Sequence, residues 1–335
     1  MKNYDVYGIG NALVDTEYEV DEAFIKSANL KKGLMTLIEA DERKELIHQL
    51  EEKHEHKVVK MAGGGSAANT IVVVSQLGGA TYYSCKVASD RMGDFFMNDL
   101  ASAGVDTNLD QGRENGVTGE CISMVTPDAE RTMYTHLGIT QTLSCRELSP
   151  EALANSKFLY IEGYLVSSPS GFEAALEAQS IANANGVAVS LTLSDPAMVE
   201  NFKEAFDKVI SLGVDLLFCN EDEARLWTGT NNRIDAINRI RALCPRFAIT
   251  CGKDGAVICD GDETSTIAGD PTTPVDTTGA GDIFAGAFLY ALSKGKSYPE
   301  AAGLANKSAS LLISNFGARL PIETVESELS NFYSS

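Results

Sequence analysis

The sequence predicts an α/β fold, in which a doubly wound and mainly parallel sheet carries helices on both faces and small additional strands lie outside it. Three observations support this fold class. Short β-prone runs alternate with helical patterns along most of the chain, which is typical of βαβ units. The 335 residues contain 44% hydrophobic and 22% charged side chains, an ordinary globular balance that permits a large core. Two regions depart from the alternation and hold short β-prone pieces.

The main sheet is predicted from β-prone runs at residues 4–10, 81–87, 158–162, 187–193, 215–219, 247–250 and 256–259. Helical patterns accompany these runs at residues 66–77, 92–103, 170–184, 198–212, 232–243, 279–292 and 298–315. Gly104 directly follows the second of these helices and is a favourable helix terminator. Because crossovers between parallel strands are right-handed, ligand-binding loops are expected at the carboxyl ends of the strands.

Residues 14–37 and 110–140 are predicted to form small strands. They contain short alternating or β-prone pieces, such as residues 120–126 and 131–136, that lie outside the predicted main sheet. Ordinary surface hairpins are the alternative interpretation of these two regions. The charged segment 41–57 is predicted to be a helix with a solvated face.

Charge and cysteine content exclude several function classes. The net charge of −20 and the pI near 4.6 oppose binding to nucleic acid or to an anionic membrane, because an acidic surface repels phosphate. Seven cysteines without a Cys-x-x-Cys pattern favour reduced thiols and a cytoplasmic protein. No apolar segment of the kind found in a signal peptide follows the N-terminal lysine, and no apolar run is long enough to span a membrane. A small molecule is therefore the expected partner.

Three short motifs with known chemistry are incomplete. The stretch from Gly8 to Leu13 begins like a dinucleotide-binding fingerprint, but Leu13 stands where the third glycine belongs and no helical run follows. The tripeptide Gly295-Lys296-Ser297 ends like a phosphate-binding P-loop, but it lies at a helix end rather than after a strand. The four histidines are too dispersed for a zinc site or a hydrolase triad.

The most informative motif is the run of residues 274–283, Pro-Val-Asp-Thr-Thr-Gly-Ala-Gly-Asp-Ile, which leads into an apolar helical pattern. The small residues Gly279, Ala280 and Gly281 leave N–H groups uncovered at a predicted helix N-terminus, where unpaired donors and the helix dipole attract an anion. Asp282 adds a carboxylate in the first turn. An anion site beside a base is what phosphoryl transfer requires. The alternative is a glycine-rich turn in which Asp282 is an ordinary first-turn residue.

A second glycine-rich turn spans residues 63–69, Gly-Gly-Gly-Ser-Ala-Ala-Asn, and precedes another helical pattern. Its glycines permit a ligand to approach the backbone, and Ser66 can cap the helix. A tight strand–helix turn without a ligand is the alternative. Asn11 and Asp15 flank the end of the first predicted strand, where a carboxylate can accept two hydrogen bonds from adjacent hydroxyls. An ordinary loop carboxylate is the alternative for Asp15.

These two glycine-rich motifs resemble the two signatures of the ribokinase, or PfkB-type, family of sugar and nucleoside kinases. The resemblance runs from about residue 4 to residue 320 and implies a single ribokinase-like domain over residues 1–335. It also implies that residues 14–37 and 110–140 form a small β-sheet lid over the substrate. It implies that Asp282 is the catalytic base and that the preceding amides form the anion hole, those of Gly279, Ala280 and Gly281. In the first signature it assigns substrate binding to Gly64, Gly65, Ser66 and Asn69. Ile71 departs from that signature, which usually carries a small residue there.

The resemblance also implies where the nucleotide binds. It assigns ATP binding to Asn220, Thr250, Gly252, Gly255 and Asn306. Glu223 completes an Asn-x-x-Glu motif that the family uses for magnesium and phosphate, and it would hold Mg²⁺ through water. The same residues fit a helix N-terminus in which Asn220 is the cap, and the two interpretations coexist.

For the acceptor, the run that contains Asn11 and Asp15 resembles the adenosine-kinase branch, in which these residues hold the ribose. Arg131 in the predicted lid is implied to contact the phosphates. Tyr164 can stack on a base, as an aromatic residue does in that branch, although a sugar kinase could use the same residue for packing.

The resemblance therefore implies a kinase that transfers the γ-phosphoryl group of ATP to a primary hydroxyl, with the 5′-OH of a purine nucleoside as the preferred acceptor. ATP and Mg²⁺ are the implied cofactors, and a monovalent cation such as K⁺ is left open. A sugar kinase for ribose, fructose or a related ketose is the main alternative. A nucleotide-binding regulatory homologue and a nicotinamide dehydrogenase are further alternatives, opposed by Asp282 and by Leu13 respectively. The protein is expected to be a monomer or a homodimer.

Overall fold

The structure is a computed structural model that describes residues 2–33, 35–110, 112–128, 130–329 and 332. The strands in these residues are β1 Tyr4–Ile9, β2 Leu13–Glu19, β3 Met35–Leu37, β4 Val58–Gly64, β5 Thr81–Ser84, β6 Val105–Asp106, β7 Gly119–Val125, β8 Arg131–His136, β9 Ser156–Ile161, β10 Ala188–Thr192, β11 Leu216–Asn220, β12 Arg246–Thr250, β13 Ala256–Asp260 and β14 Thr264–Ile267. The α-helices are α1 Glu22–Ser27, α2 Ala40–Ile47, α3 Ser66–Gln76, α4 Arg91–Ser102, α5 Pro150–Ala154, α6 Pro169–Ala184, α7 Pro196–Ser211, α8 Glu221–Thr228, α9 Arg233–Leu243, α10 Ala280–Ser293, α11 Tyr298–Ile313 and α12 Ile322–Glu328.

The larger sheet has the strand order β14-β13-β12-β11-β10-β9-β1-β5-β6. Every neighbouring pair from β12 to β6 is parallel, whereas β13 and β14 pair antiparallel at one edge. The winding direction changes at β1, because β5 and β6 follow on one side and β9 to β12 on the other. Loops that diverge at such a switch point open a crevice at the carboxyl ends of the strands. This sheet confirms the predicted α/β fold class.

Helices cover both faces of the larger sheet, each through its own hydrophobic core. One core joins the sheet to α3, α4, α10, α11 and α12, and it includes Val73 and Phe288. The other joins it to α5 through α9 and includes Phe206 and Trp227. Burial on two faces explains why the central strands are continuous apolar runs rather than alternating ones.

Helix α10 is largely buried in the first core and packs closely against α3. A Cβ atom on Gly286 of α10 would lie 2.2 Å from Cγ1 of Val73 and 2.5 Å from the backbone oxygen of Thr70, both in α3. Only a residue without a side chain permits this approach. The contact brings the N-termini of α3 and α10 together, at the edge of the crevice.

The smaller sheet has the strand order β3-β8-β7-β2-β4 and its own core, which contains Tyr18, Phe24, Leu50 and Ile122. Strands β2, β3, β7 and β8 overlap the predicted lid ranges 14–37 and 110–140, of which Leu34, Gln111 and Ala129 lie outside the described residues. Residues 22–27 of the first range form helix α1 rather than a strand. Whether the sheet moves as a lid, and whether residues 1–335 act as one domain, stay predictions.

Strand β4 was not predicted. It follows the charged segment predicted to be a helix over residues 41–57, which forms α2 and a π-helical turn, His48–Lys53. β4 pairs antiparallel with β2, and Asp15 of β2 lies opposite Ala62 of β4. The pairing partner is about 45 residues away along the chain, so no local pattern identifies it. None of the helices in the described residues combines the length and the apolar character needed to cross a membrane.

Replacement of Phe288 by alanine should lower the free energy of unfolding by about 3–5 kcal/mol. Phe288 is fully buried, and its ring packs against those of Phe218, Phe284 and Tyr298. The matched control is Phe316→Ala, because Phe316 is 49% exposed and should cost about 0.5 kcal/mol or less. Urea unfolding followed by circular dichroism measures both variants. Equal losses would contradict the packing assigned to α10.

Candidate active site

A cavity of about 1480 Å³ lies at the carboxyl ends of the parallel strands and is lined by residues of both sheets. Residues at or just after the ends of β1, β9, β10, β11 and β12 contribute to it. The predicted site residues in its lining are Asn11, Asp15, Gly65, Ser66, Asn69, Arg131, Tyr164, Asn220, Glu223, Thr250, Gly252, Gly279, Ala280, Gly281 and Asp282. Residues spread over nearly the whole sequence are therefore brought to one cavity, although the cavity alone does not establish their roles.

Asp282 lies in the first turn of α10, whose N-cap is Gly279 with a left-handed φ of 78°. The side-chain hydroxyl of Ser66 donates to Oδ1 of Asp282 at 2.6 Å, and Nδ2 of Asn69 donates to Oδ2 at 3.0 Å. Both donors belong to α3. The Asp282 carboxylate is thus held at the N-terminus of α10 by two side chains of the glycine-rich motif at residues 63–69.

Burial raises the pKa of Asp282 to about 6, against the opposing effects of the two hydrogen bonds and of the Arg319 guanidinium. Burial likewise raises the pKa of Asp15 to about 6, while Arg319 and Arg131 lower it. A carboxylate with a pKa near 6 is ionised at neutral pH and remains basic enough to accept a proton from a hydroxyl. The environment of Asp282 therefore suits a general base.

Asp15 and Gly64 are in direct contact across strands β2 and β4. A Cβ atom on Gly64 would lie 2.5 Å from Oδ1 and 2.6 Å from Oδ2 of Asp15. Gly64 itself does not line the cavity. Its role in the structure is to leave room for the Asp15 carboxylate beside the glycine turn.

Glu162 is a residue that the sequence reasoning missed. It follows β9, is 1% exposed, and accepts hydrogen bonds from the backbone N–H and the side-chain Nδ2 of Asn11, both at 3.0 Å. It also accepts from the backbone N–H of Ala67 at 3.2 Å, and burial raises its pKa to about 7. Glu162 therefore ties the loop after β1 to the N-terminus of α3. The available signal was a lone carboxylate at the carboxyl end of an apolar strand.

Asn220 and Glu223 form a reciprocal cap at the start of α8. Oδ1 of Asn220 accepts from the backbone N–H of Glu223 at 2.8 Å, and the Glu223 carboxylate accepts from the backbone N–H and Nδ2 of Asn220. Burial raises the pKa of Glu223 to about 7. The structure shows the capping interpretation, and both residues also line the cavity.

The Glu223 carboxylate is already engaged in this cap. Both oxygens of Glu223 already accept hydrogen bonds from Asn220, and the described residues contain no cluster of three histidine, cysteine, aspartate or glutamate residues able to hold a metal ion. Contact of Glu223 with Mg²⁺ through an intervening water, as the sequence predicts, stays a prediction.

Arg131 of β8 reaches from the smaller sheet to the loop before α10. Its Nη1 donates to Oδ2 of Asp276 at 2.8 Å, and its Nη2 donates to Glu17 at 3.0 Å. Asp276 also accepts from the backbone N–H groups of Thr278 and Gly317, both at 2.9 Å. Arg131 is therefore paired with carboxylates, and a contact with phosphate would require it to exchange these partners.

Two predicted ATP-binding residues lie outside the cavity lining of the described chain. Nδ2 of Asn306 donates to the backbone oxygens of Ile267 and Ala268, at 3.1 and 3.0 Å, and so joins α11 to the end of β14. Gly255 has a φ of 87°, and a Cβ there would lie 2.1 Å from the oxygen of Ile267. The contacts that these residues make are structural, and their contact with a nucleotide stays a prediction.

A cavity at the switch point of a doubly wound sheet, with a buried carboxylate at a helix N-terminus, defines a candidate phosphotransferase. The family model for pfkB family carbohydrate kinases matches residues 27–325. The chain belongs to this family. It is therefore a phosphotransferase with an alcohol group as acceptor, as the sequence predicted.

Individual relatives include enzymes for nucleosides and for sugars. The solved structure of adenosine kinase from Sinorhizobium meliloti is 34% identical, covers 97% of this chain and 98% of its own, and has a TM-score of 0.85. A probable sugar kinase from Rhizobium etli is also 34% identical, with 97% and 98% coverage and a TM-score of 0.86. Adenosine kinase 2 from Arabidopsis thaliana is 28% identical over 95% of this chain and 97% of its own.

The raised pKa of Asp282 predicts a loss of activity in mild acid. Protonation below pH 6 removes the base, so kcat/KM should fall by about tenfold for each pH unit below that value, and more steeply where Asp15 is protonated too. An unperturbed aspartate would keep the enzyme active to about pH 4. Initial rates from pH 4.5 to 8.5 measure the effect. A constant kcat/KM down to pH 4.5 would contradict the raised pKa.

Proposed function

We propose that this protein is an ATP-dependent kinase of the adenosine-kinase type, which phosphorylates the 5′-OH of a purine nucleoside. The observation that carries this proposal is the Asp282 carboxylate, fixed by Ser66 and Asn69 at the N-terminus of α10 and facing the cavity. Asp15 and Asn11 line the same cavity, where a carboxylate and an amide suit the adjacent hydroxyls of a ribose.

The proposed reaction uses Asp282 and the backbone of its helix. Asp282 accepts the proton of the acceptor hydroxyl as that oxygen attacks the γ-phosphorus of ATP, and the bond from phosphorus to the bridging oxygen breaks as ADP leaves. The N–H groups of Gly279, Ala280 and Gly281 are proposed to stabilise negative charge on the transferred group, because the helix dipole favours an anion there. The N–H of Ala280 donates to the backbone oxygen of Thr277 at 3.2 Å and would have to exchange this partner. The acidic protein needs this local positive potential for binding of ATP.

The proposed ATP site lies at the ends of β11 and β12. Thr250 is the last residue of β12 and lies opposite Asn220 of β11, and Gly252 follows the strand. All three residues line the cavity, and we propose that they contact the nucleotide. Mg²⁺ would neutralise phosphate charge, with Glu223 contacting it through water. A monovalent cation near the anion hole remains a further proposal, and Asp276 beside that loop is already paired with Arg131.

An apolar surface supports a nucleoside acceptor over a free sugar. The smaller sheet and the loops beside it contribute aliphatic and sulfur-containing side chains to the cavity: Leu13, Met35, Leu37, Cys121, Met133 and Leu137. A purine base can bury its faces against such a surface, whereas a sugar has hydroxyls that would lose hydrogen bonds there. Tyr164 lines the cavity as well and can stack on a base. The similarity to a probable sugar kinase keeps a carbohydrate acceptor as the second candidate.

The proposal includes a cytoplasmic location and a monomeric or homodimeric state. All seven cysteines are free, which suits a reducing cytoplasm. A monomer or a homodimer is compatible with a cavity whose lining comes from one chain.

Replacement of Asp282 by asparagine should lower kcat by about 10²–10⁴-fold while ATP still binds, because the amide keeps the shape and loses the base. Asp235→Asn is the matched control, since Asp235 is an acidic first-turn residue of α9 outside the cavity lining. A coupled assay for ADP measures turnover, and calorimetry measures ATP affinity. Turnover of the Asp282 variant within threefold of wild type would remove Asp282 from its proposed role.

A comparison of acceptors tests the nucleoside assignment. Base stacking contributes about 1–3 kcal/mol, so adenosine should exceed free ribose in kcat/KM by about ten- to hundredfold. Tyr164→Ala should reduce that ratio without changing ATP affinity, and Tyr164→Phe, which keeps the ring, should preserve it. The assay measures kcat/KM for adenosine, inosine, ribose and fructose. A wild-type preference for a free sugar would favour the carbohydrate kinase instead.

A further inference from the structure

Arg319 is a cavity residue to which no role has been assigned above. It lies in the loop between α11 and α12, and its side chain is 16% exposed. It is about 37 residues beyond Asp282 in the sequence and outside both glycine-rich motifs. Its hydrogen bonds nevertheless connect it to Asp282 through the side chain of Asn69.

The guanidinium of Arg319 fixes the orientation of Asn69. Its Nε donates to Oδ1 of Asn69 at 2.8 Å, and Nδ2 of the same amide donates to Oδ2 of Asp282 at 3.0 Å. Because the oxygen and nitrogen of an amide lie at opposite ends of one rigid group, fixing the oxygen also fixes the direction of the N–H donors. Without Arg319 the amide could rotate and present its oxygen to the carboxylate.

The guanidinium is itself anchored to the glycine turn. Its Nη1 forms an ion pair with Asp99 of α4, and a Cβ on Gly63 would lie 3.2 Å from Nη1 and 2.2 Å from Oδ2 of Asp99. The remaining nitrogen, Nη2, is buried and has no hydrogen-bond partner among the described residues. Arginines that serve packing alone generally satisfy their buried donors, and an unmet donor costs about 1–3 kcal/mol. This cost is tolerated where the geometry of the other nitrogens is required.

We propose that Arg319 is a positioning residue for phosphoryl transfer, which orients Asn69 so that its amide holds the Asp282 carboxylate towards the acceptor hydroxyl. This inference rests on the proposed function, because it takes Asp282 to be the base. Arg319 acts through Asn69 and does not itself contact the reacting atoms.

The charge of Arg319 affects the pH dependence of kcat/KM, which a residue that served packing alone would leave unchanged. Its guanidinium lowers the pKa of both Asp282 and Asp15, in opposition to burial. The other titratable groups that interact with Asp282 are Asp15, Tyr160, Glu162 and Tyr164. All of these are neutral or negative, so loss of the guanidinium leaves their effect uncompensated and raises the pKa of Asp282. The acid limb of kcat/KM should then move to higher pH.

Arg319→Met and Arg319→Lys separate orientation from charge. Arg319→Met should lower kcat by about 10- to 100-fold, leave KM for ATP within about twofold, and raise the midpoint of the acid limb by about half a pH unit or more. Arg319→Lys should also lower kcat, because an ammonium cannot reproduce the guanidinium fork, but its midpoint should stay close to wild type. The control is Arg113→Met, since Arg113 pairs with Asp94 of the same helix α4 and its side chain is 22% exposed.

Folding of each variant is checked by thermal unfolding. If Arg319→Met does not fold, a double-mutant cycle of Arg319→Lys with Asn69→Ala carries the test. The proposal expects the double variant to lose less activity than the product of the single losses, because both changes break one connection. If the activity loss of the double variant equals the product of the two single losses, the proposal is wrong. An unshifted acid limb in folded Arg319→Met, with kcat no lower than in Arg113→Met, would overturn it as well.

Asp282→Asn in the same series distinguishes two kinds of failure. If Asp282→Asn keeps near wild-type turnover, the proposed function itself is wrong. If Asp282→Asn is impaired while the Arg319 variants behave like Arg113→Met, only the role of Arg319 is wrong.

Discussion

The close contact between helices α3 and α10 is the constraint on which the rest of the site depends. Gly286 allows the two helices to approach until Val73 and Thr70 fill the space of its missing side chain. This approach places the N-terminus of α10 against the turn that precedes α3. Ser66 and Asn69 then reach the Asp282 carboxylate across the gap. Wider separation of the helices would leave a buried carboxylate without these donors, and such a group is costly.

The same crevice must hold several carboxylates in a protein whose net charge is −20. Burial raises the pKa of Asp15 and Asp282 to about 6 and those of Glu162 and Glu223 to about 7. Glu162 and Glu223 are stabilised by N–H donors, whereas Asp15 and Asp282 also depend on the guanidinium of Arg319. That arginine is fixed by Asp99, and Arg131 by Asp276 and Glu17. The buried carboxylates of the site are thus stabilised by individual hydrogen bonds and ion pairs rather than by a basic surface.

Strands of the smaller sheet are directly followed or preceded in sequence by residues that line the cavity. Strand β2 begins two residues after Asn11 and carries Asp15, and β4 ends at Gly64, directly before the N-cap of α3. Arg131 of β8 adds a contact with the loop before α10. Any displacement of this sheet would therefore move Asp15 and Arg131 relative to Asp282 and change the geometry of the site.

The sequence by itself determined the fold class and the two glycine-rich turns. Apolar runs that alternate with helical patterns indicate a buried parallel sheet, and small residues before an apolar helix mark an anion site at its N-terminus, because these signals are local. Tertiary structure alone decided which distant groups meet. β4 pairs with β2 across a long connection, Glu162 bonds to Asn11, and Arg319 reaches Asn69 from the end of the chain. It also turned Asn306 towards β14 rather than the cavity. No local pattern encodes such contacts, since each depends on packing between segments far apart in sequence.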